Sequence, residues 1–420
     1  GAGVMLLKRP AIALMPAILF CPFNFESLIS RIGIPFVNPF NLAWMTAALA
    51  LIIISRQQQN FQWPRTPLDS FLVFNITVTT VSVIRAYQII PPEDYFHHVL
   101  VYQQWLQWLV FYWVTAALVR TRSEARLVVA AVAFMVLVAA MFGIKDYIST
   151  RAVSGGEIER SQGLLGQANY AGSFFAYYLP PLIALSRVKQ AKIFRIVTLL
   201  ATLAGIVACV LTFSRGSLLA LGVAGAVVIV QTRSRLLVGA ACLSVVLIAS
   251  DPTVRARFAE TTQKSGGEQA ELDDSSGARL IAWRKAISLA GQNPIFGHGF
   301  FTFRHIDHSL DSESKAKFGH GRMDVHNGHL NILVSAGLVG SIALYLQFGG
   351  LFLWCQHLRR SLRDPFAQAL AIGLSASVIA VMVINLTGTR LYDRQLMAYM
   401  WILAGALHAM SRTENETGSA

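Results

Sequence analysis

The segment His326-Asn327-Gly328-His329 holds the side chains best suited to proton transfer at neutral pH. An imidazole has an unperturbed pKa of about 6.5, so it can take or give a proton under these conditions. Several histidines fall within residues 298–329, but the HExxH spacing and clustered cysteines of metal sites are absent. The sequence therefore predicts no metal site. From the residues alone, a structural role also stays open, in which Asn327 caps a helix and the histidines lie at an interface with water.

Arginines form the second group of interest. Guanidinium groups stay charged and bind phosphate oxygens through two parallel hydrogen bonds. Several arginines on one face therefore predict a polyanionic ligand, whereas any single one could instead reach towards lipid phosphates. The candidates lie near the ends of apolar stretches or in a long polar loop: Arg85, Arg215, Arg279, Arg284, Arg390 and Arg394.

Apolar stretches recur along the whole chain and must position these residues. Of the 420 residues, 54% are hydrophobic and 14% are charged, whereas a soluble domain carries roughly 25% charged residues. A helix needs about 20 apolar residues to cross a bilayer, and it satisfies its own backbone there. The sequence thus predicts an all-α integral membrane protein of about 12 transmembrane helices. The predicted spans are 8–23, 34–54, 69–90, 97–119, 126–144, 164–186, 194–213, 216–232, 236–250, 329–354, 366–386 and 395–410.

The placement of Lys and Arg predicts the orientation. Basic residues concentrate in the loops on the side of the N-terminus, which puts both termini in the cytoplasm. The net charge of +13 is explained by this bias and not by nucleic-acid binding. Three regions are expected: residues 5–250, from Met5 as the expected start, with nine helices; a periplasmic loop domain at 251–328; and residues 329–412 with the last three helices.

The long polar loop contains one predicted helix, Ala278 to Leu289. Leu280, Trp283, Ala286 and Ile287 would share its apolar face, because they recur at helical spacing. Asn293-Pro294 is expected to end it. A small extracytoplasmic domain inserted into a helical bundle is the resulting prediction.

The spacing His326-Asn327, nine residues, then Gly337-x-x-Gly340 resembles the signature of the O-antigen ligases of lipopolysaccharide assembly. The predicted order of helices and loop also resembles that of this ligase and polymerase superfamily. Other segments add to the resemblance: Arg279-x-x-x-Trp283, the run from Pro294 to Gly299, Ser214-Arg215-Gly216 and, more weakly, Gly166-Gln167-Ala168-Asn169.

The resemblance implies a metal-independent glycosyltransferase without a cofactor. The donor would be O-antigen linked to undecaprenyl diphosphate, and the acceptor a sugar hydroxyl of lipid A-core, at the periplasmic side of a Gram-negative inner membrane. His326 would be the general base, with Asn327 and His329 in support. The arginines implied in diphosphate binding are Arg215, Arg279, Arg284, Arg85 and Arg390.

Two alternatives remain at this stage. An O-antigen polymerase or an O-linked oligosaccharyltransferase of the same superfamily would share the donor and differ in the acceptor. A polyprenyl-lipid transporter or flippase would also suit many spans with intramembrane arginines. Transporters usually contain two related halves and bind near the midplane. No half-repeat is recognisable, and the polar residues gather towards one face, which disfavours a transporter.

Overall fold

The computed structural model describes residues 9–23, 39–57, 63–153, 160–239, 262–264, 270–272, 274–306 and 324–418. The first half contains a 3₁₀ helix Pro10–Leu14, α1 Met15–Phe20, α2 Pro39–Gln57, α3 Asp69–Ala86, α4 Pro92–Leu118, α5 Arg122–Val153, a 3₁₀ helix Gly163–Leu165, α6 Ala168–Leu185, α7 Lys192–Leu211 and α8 Arg215–Thr232. The second half contains β1 Thr262–Lys264, β2 Ala270–Leu272, α9 Asp274–Gln292, a 3₁₀ helix Thr302–Arg304, α10 Gly328–Ser361, α11 Pro365–Ile384 and α12 Arg394–Gly418. β1 and β2 pair antiparallel.

Seven of the described helices are long and apolar enough to cross a membrane, namely α2, α3, α7, α8, α10, α11 and the part Arg122–Arg151 of α5. The prediction of an α-helical membrane protein is confirmed at this level. Every predicted span overlaps described helical residues, and for 236–250 these are the helical residues up to 239. Residues 240–250 of that span lie outside the described residues. The number of spans, the placement of the loop and the orientation stay predictions.

The long helix α10 is interrupted at Gly337, whose φ of 64° and ψ of −157° are not helical. A positive φ is accessible to glycine without a steric cost, because it has no Cβ. The break leaves backbone N–H groups without partners in the preceding turn. Leu338 N donates instead to Pro294 O at 2.8 Å, and Val339 N donates to Ile295 O at 3.2 Å.

The other side of the same gap is closed by the residues that follow Ile295. His298 N donates to Val334 O at 2.8 Å, and Gly299 N donates to Ser335 O at 2.9 Å. The segment 294–300 therefore pairs with the backbone groups on both sides of the break, and satisfied backbone groups are essential at membrane depth. The loop segment and the interrupted helix form one structural unit.

Helix α9 forms where a loop helix is predicted, and only part of the predicted apolar face is buried. Ala282, Ala286 and Leu289 are buried against a cluster that includes Phe303 and Val325. Leu280 and Ile287, on the predicted apolar face, are 37% and 59% exposed. Both stripes of this helix are apolar, so spacing alone could not decide which one packs against the protein.

Candidate active site

A cavity of about 560 Å³ lies at one end of the helical bundle. Its walls come from the N-terminal ends of α6, α8 and α12, the segment before α10, the C-terminal end of α11, and α9. Helix N-termini carry partial positive charge, which favours an anionic ligand. Its polar lining includes Arg160, Gln167, Asn169, Tyr170, Ser214, Arg215, Ser217, Arg279, Arg304, Asp324, His326, Thr387, Arg390, Asp393 and Gln395.

Arginine dominates the charge of this cavity. Arg160, Arg215, Arg279, Arg304 and Arg390 line it, against the two carboxylates Asp324 and Asp393. Burial raises the pKa of Asp393, although Arg390 and Arg394 oppose this effect. The excess of guanidinium groups over carboxylates suits a ligand with several negative charges.

The structure brings four of the predicted site residues together, since His326, Arg215, Arg279 and Arg390 all line the cavity. Arg85 and Arg284 are not among the lining residues. Arg284 is exposed on α9.

Arg85 instead supports the segment that fills the gap in α10. Its Nη2 donates to Gly297 O at 3.0 Å, and its guanidinium carbon lies 5.9 Å from the centre of the Phe296 ring. The sequence places Arg85 near the end of an apolar stretch, but it contains no information on the partner of this side chain.

Asn327 and His329 stabilise the structure next to the cavity and do not line it. Asn327 Oδ1 accepts hydrogen bonds from the backbone N–H groups of His329 and Leu330, each at 3.0 Å, and so caps α10. His329 Nε2 donates to Met382 O at 3.0 Å, and Tyr345 OH lies 2.9 Å from Nδ1. Both ring nitrogens of His329 thus have partners, and the helix-cap role considered for Asn327 is present alongside the cavity.

The linker between α11 and α12 is fastened to the segment that carries His326. Asn327 Nδ2 donates to Leu386 O at 3.0 Å. Gly328 N donates to Asn385 O at 2.8 Å, and Asn385 Oδ1 accepts from Arg390 N, also at 2.8 Å. Two asparagine side chains therefore fix Arg390 relative to His326, although these residues are far apart in the sequence.

His326 has an unusual backbone and a strongly charged environment. Its φ is 50°, in the left-handed region that non-glycine residues rarely adopt. Such strain persists where the surrounding structure enforces it, which is common at functional sites. Burial lowers the pKa of His326; Asp324 opposes this effect, whereas Arg279, Arg390 and Arg304 lower the pKa further. The imidazole is therefore mainly neutral at pH 7 and able to accept a proton.

Several lining residues were not predicted as site residues. Arg160 Nη2 donates to Asn169 Oδ1 at 2.6 Å, which places the weakly matching segment 166–169 in the cavity wall. The Arg390 guanidinium carbon lies 3.9 Å from the centre of the Tyr170 ring, a close cation–π contact. Only the 166–169 segment carried a recognisable signal in the sequence. Tyr170 follows it directly.

The long apolar helices indicate a multi-pass membrane protein, and the arginine-rich cavity at one end of its bundle suits an anionic ligand. Residues 200–345 match a family model described as O-antigen ligase. This match confirms the resemblance to the O-antigen ligase/polymerase superfamily that the motifs indicate. Members of the family are membrane glycosyltransferases. No curated protein matches the chain.

The matched range contains 9 of the 22 residues that line the cavity. Arg215, Arg279 and His326 fall within it, as does the break at Gly337, whereas Arg390 lies beyond its end. The family match and the cavity therefore overlap at the residues that include the candidate base.

Proposed function

We propose that this protein is an O-antigen ligase, which moves a glycan from undecaprenyl diphosphate to a sugar hydroxyl of lipid A-core. The observation that supports this proposal is that one cavity holds the imidazole of His326 together with Arg215, Arg279 and Arg390. Cationic side chains are needed to stabilise the negative charge of a lipid-linked diphosphate. A base is needed near that diphosphate to take the proton of the acceptor hydroxyl. The reaction would take place at the periplasmic face of a Gram-negative inner membrane, with both termini of the protein in the cytoplasm.

In the proposed reaction the acceptor oxygen forms a bond to the anomeric carbon of the donor sugar. The bond from that carbon to the diphosphate oxygen breaks, and undecaprenyl diphosphate leaves with the electron pair. His326 takes the proton of the acceptor hydroxyl. Arg215, Arg279 and Arg390 stabilise the charge that grows on the leaving oxygens, because guanidinium groups remain cationic and bind phosphate oxygens in pairs.

The superfamily alternatives share this donor chemistry. A polymerase would use a second lipid-linked glycan as acceptor, and an O-linked oligosaccharyltransferase would use a protein hydroxyl. The proposal is tested by reconstituting the full-length protein in liposomes with a lipid-diphosphate glycan and each of the three purified acceptors. Transfer to lipid A-core alone supports a ligase. Transfer only to another acceptor would replace the proposed function by the corresponding alternative, and transfer to none would overturn it.

Arg215→Ala should impair use of the donor more strongly than Arg215→Lys. Lysine keeps the positive charge but loses the planar pair of donors, so we expect it to restore activity only in part. The rate of transfer at several donor concentrations would measure the effect. Arg284→Ala is the matched control, because it removes the same charge from an exposed position that does not line the cavity. Full activity of well-folded Arg215→Ala protein would remove Arg215 from the proposed diphosphate site.

Transfer should survive exhaustive treatment with EDTA. The histidines of residues 298–329 lack good ligand spacing. His298 Nε2 also donates to Leu289 O at 2.8 Å, and His329 Nε2 donates to Met382 O at 3.0 Å, so these nitrogens are directed at carbonyl oxygens. The activity of the reconstituted protein before and after chelation is the measurement. Loss of activity that one divalent ion restores would contradict a metal-free reaction.

A further inference from the structure

Asp324 lies two residues before His326 and shares its carboxylate among several groups. Its Oδ2 is 3.2 Å from Arg304 Nη2 and 3.7 Å from His326 Nδ1. Its Oδ1 accepts from Thr389 Oγ1 at 3.5 Å. The distance to His326 is that of an ion pair and exceeds a normal hydrogen bond. One carboxylate is therefore divided between a permanent cation and a titratable imidazole.

The short segment that carries both residues is held in place by packing. Val325, between them, is fully buried in a cluster with Ile281, Leu289 and Phe303. The Asp324 side chain is only 19% exposed, whereas the His326 side chain is 44% exposed. The carboxylate is thus the more deeply buried partner, and it can orient the more exposed imidazole.

We infer that Asp324 is a positioning residue for His326, and that Arg304 weakens its effect by competing for the same carboxylate oxygen. Asp324 holds Nδ1 on its own side, which leaves Nε2 as the nitrogen that takes the proton of the acceptor hydroxyl. The catalytic meaning of this arrangement rests on the proposed function, whereas the arrangement itself does not.

The charges that face His326 come from four different elements. Arg279 lies on α9, Arg304 on the 3₁₀ helix Thr302–Arg304, Arg390 on the linker after α11, and Asp324 on the segment before α10. The three arginines disfavour the imidazolium, and Asp324 favours it. Removing Asp324 should therefore make His326 less basic, and removing Arg304 should make it more basic. The two residues touch each other, yet their removal has opposite effects.

The first test measures the protonation of His326 without using the reaction. Diethyl pyrocarbonate modifies the neutral imidazole, and mass spectrometry of the peptide that contains positions 326 and 329 reports the rate at each pH. Asp324→Asn should move the midpoint for His326 to lower pH, and Arg304→Gln should move it to higher pH. The profile of His329 in the same peptide should stay unchanged. Unchanged midpoints for His326, or shifts in the same direction, would overturn the inference.

The second test measures transfer by the full-length protein in liposomes. Asp324→Asn should lower kcat by about 10-fold to 100-fold, less than loss of the base itself, with the KM for the donor little changed. Asp324→Glu should restore part of the rate, and the acid limb of the pH profile should follow the midpoints from the modification test. Normal kcat in Asp324→Asn would overturn the positioning role. If the wild-type protein transfers no glycan, the proposed function fails. The pH profiles of modification by diethyl pyrocarbonate still decide whether Asp324 acts on His326.

Discussion

Replacing His326 by alanine should lower the rate of glycan transfer by about 10²–10⁴-fold, the usual cost of losing a general base. The side chain is partly exposed and lines the cavity, so its loss should leave the fold intact. The left-handed φ of 50° is less favourable for alanine than for glycine but is already adopted by the native histidine. Initial rates in the reconstituted reaction, with a size-exclusion profile to check folding, measure the effect.

His329→Ala is the matched control for this experiment. His329 is in the same motif, but its ring bonds to Met382 O and to the Tyr345 hydroxyl and does not line the cavity. We expect His329→Ala to lower the stability of the protein. It should reduce the rate of glycan transfer less than His326→Ala does. If His329→Ala were inactive while His326→Ala transferred glycan at a nearly normal rate, the base would be His329. Normal rates in both variants would mean that the motif is structural.

Replacing Gly337 by alanine should destabilise the protein by about 2–5 kcal/mol, through backbone strain at a positive φ and overpacking. A Cβ at this position would overlap the carbonyl group of Ile295 and approach Phe296 N to 2.6 Å. Backbone atoms cannot give way as a flexible side chain can. Thermal unfolding of the purified protein in detergent is the measurement.

Gly349→Ala tests whether the effect is specific. Gly349 lies in the same helix, and a Cβ there would meet no atom within 4 Å. Alanine is favoured over glycine in a helix by about 1 kcal/mol, so this variant should be neutral or slightly more stable. Equal melting temperatures for the two variants would show that the break in α10 does not require a glycine.

The helices could be predicted because crossing a bilayer imposes a length and a composition that hydropathy records directly. The break in α10 could not be predicted in this way. Gly337 lies within an apolar run, and hydropathy contains no information on φ. The Gly-x-x-Gly spacing marked the position, but its role depends on Pro294 and Ile295, which reach it only in the folded protein. The buried side of α9 could not be predicted for a similar reason, since its apolar stripes differ in their partners and not in their composition.

The candidate site was predictable where chemistry and family spacing coincided. His326, Arg215, Arg279 and Arg390 line one cavity. Arg304, Asp324 and Arg160 were overlooked, because their presence there depends on how separate helix ends converge. Arg85 illustrates the opposite limit, since its depth could be estimated from its span but the direction of its side chain could not. Sequence indicates which groups are suited to a site, and packing decides which of them meet.

The pairing of segment 294–300 with α10 also determines where the chain can be divided for engineering. Consider a chimera in which residues 251–328 are replaced by those of a relative. The foreign segment 294–300 would then have to form its backbone hydrogen bonds with the native helix α10. The junctions that keep the hydrogen bonds between segment 294–300 and α10 lie before Pro294 and after Ser361, so that segment and helix are exchanged together. Phe300 N also donates to Ser82 O at 3.0 Å, which ties the transplanted piece to α3. A loop graft intended to change the acceptor should therefore end before residue 294 or carry α3 and α10 with it.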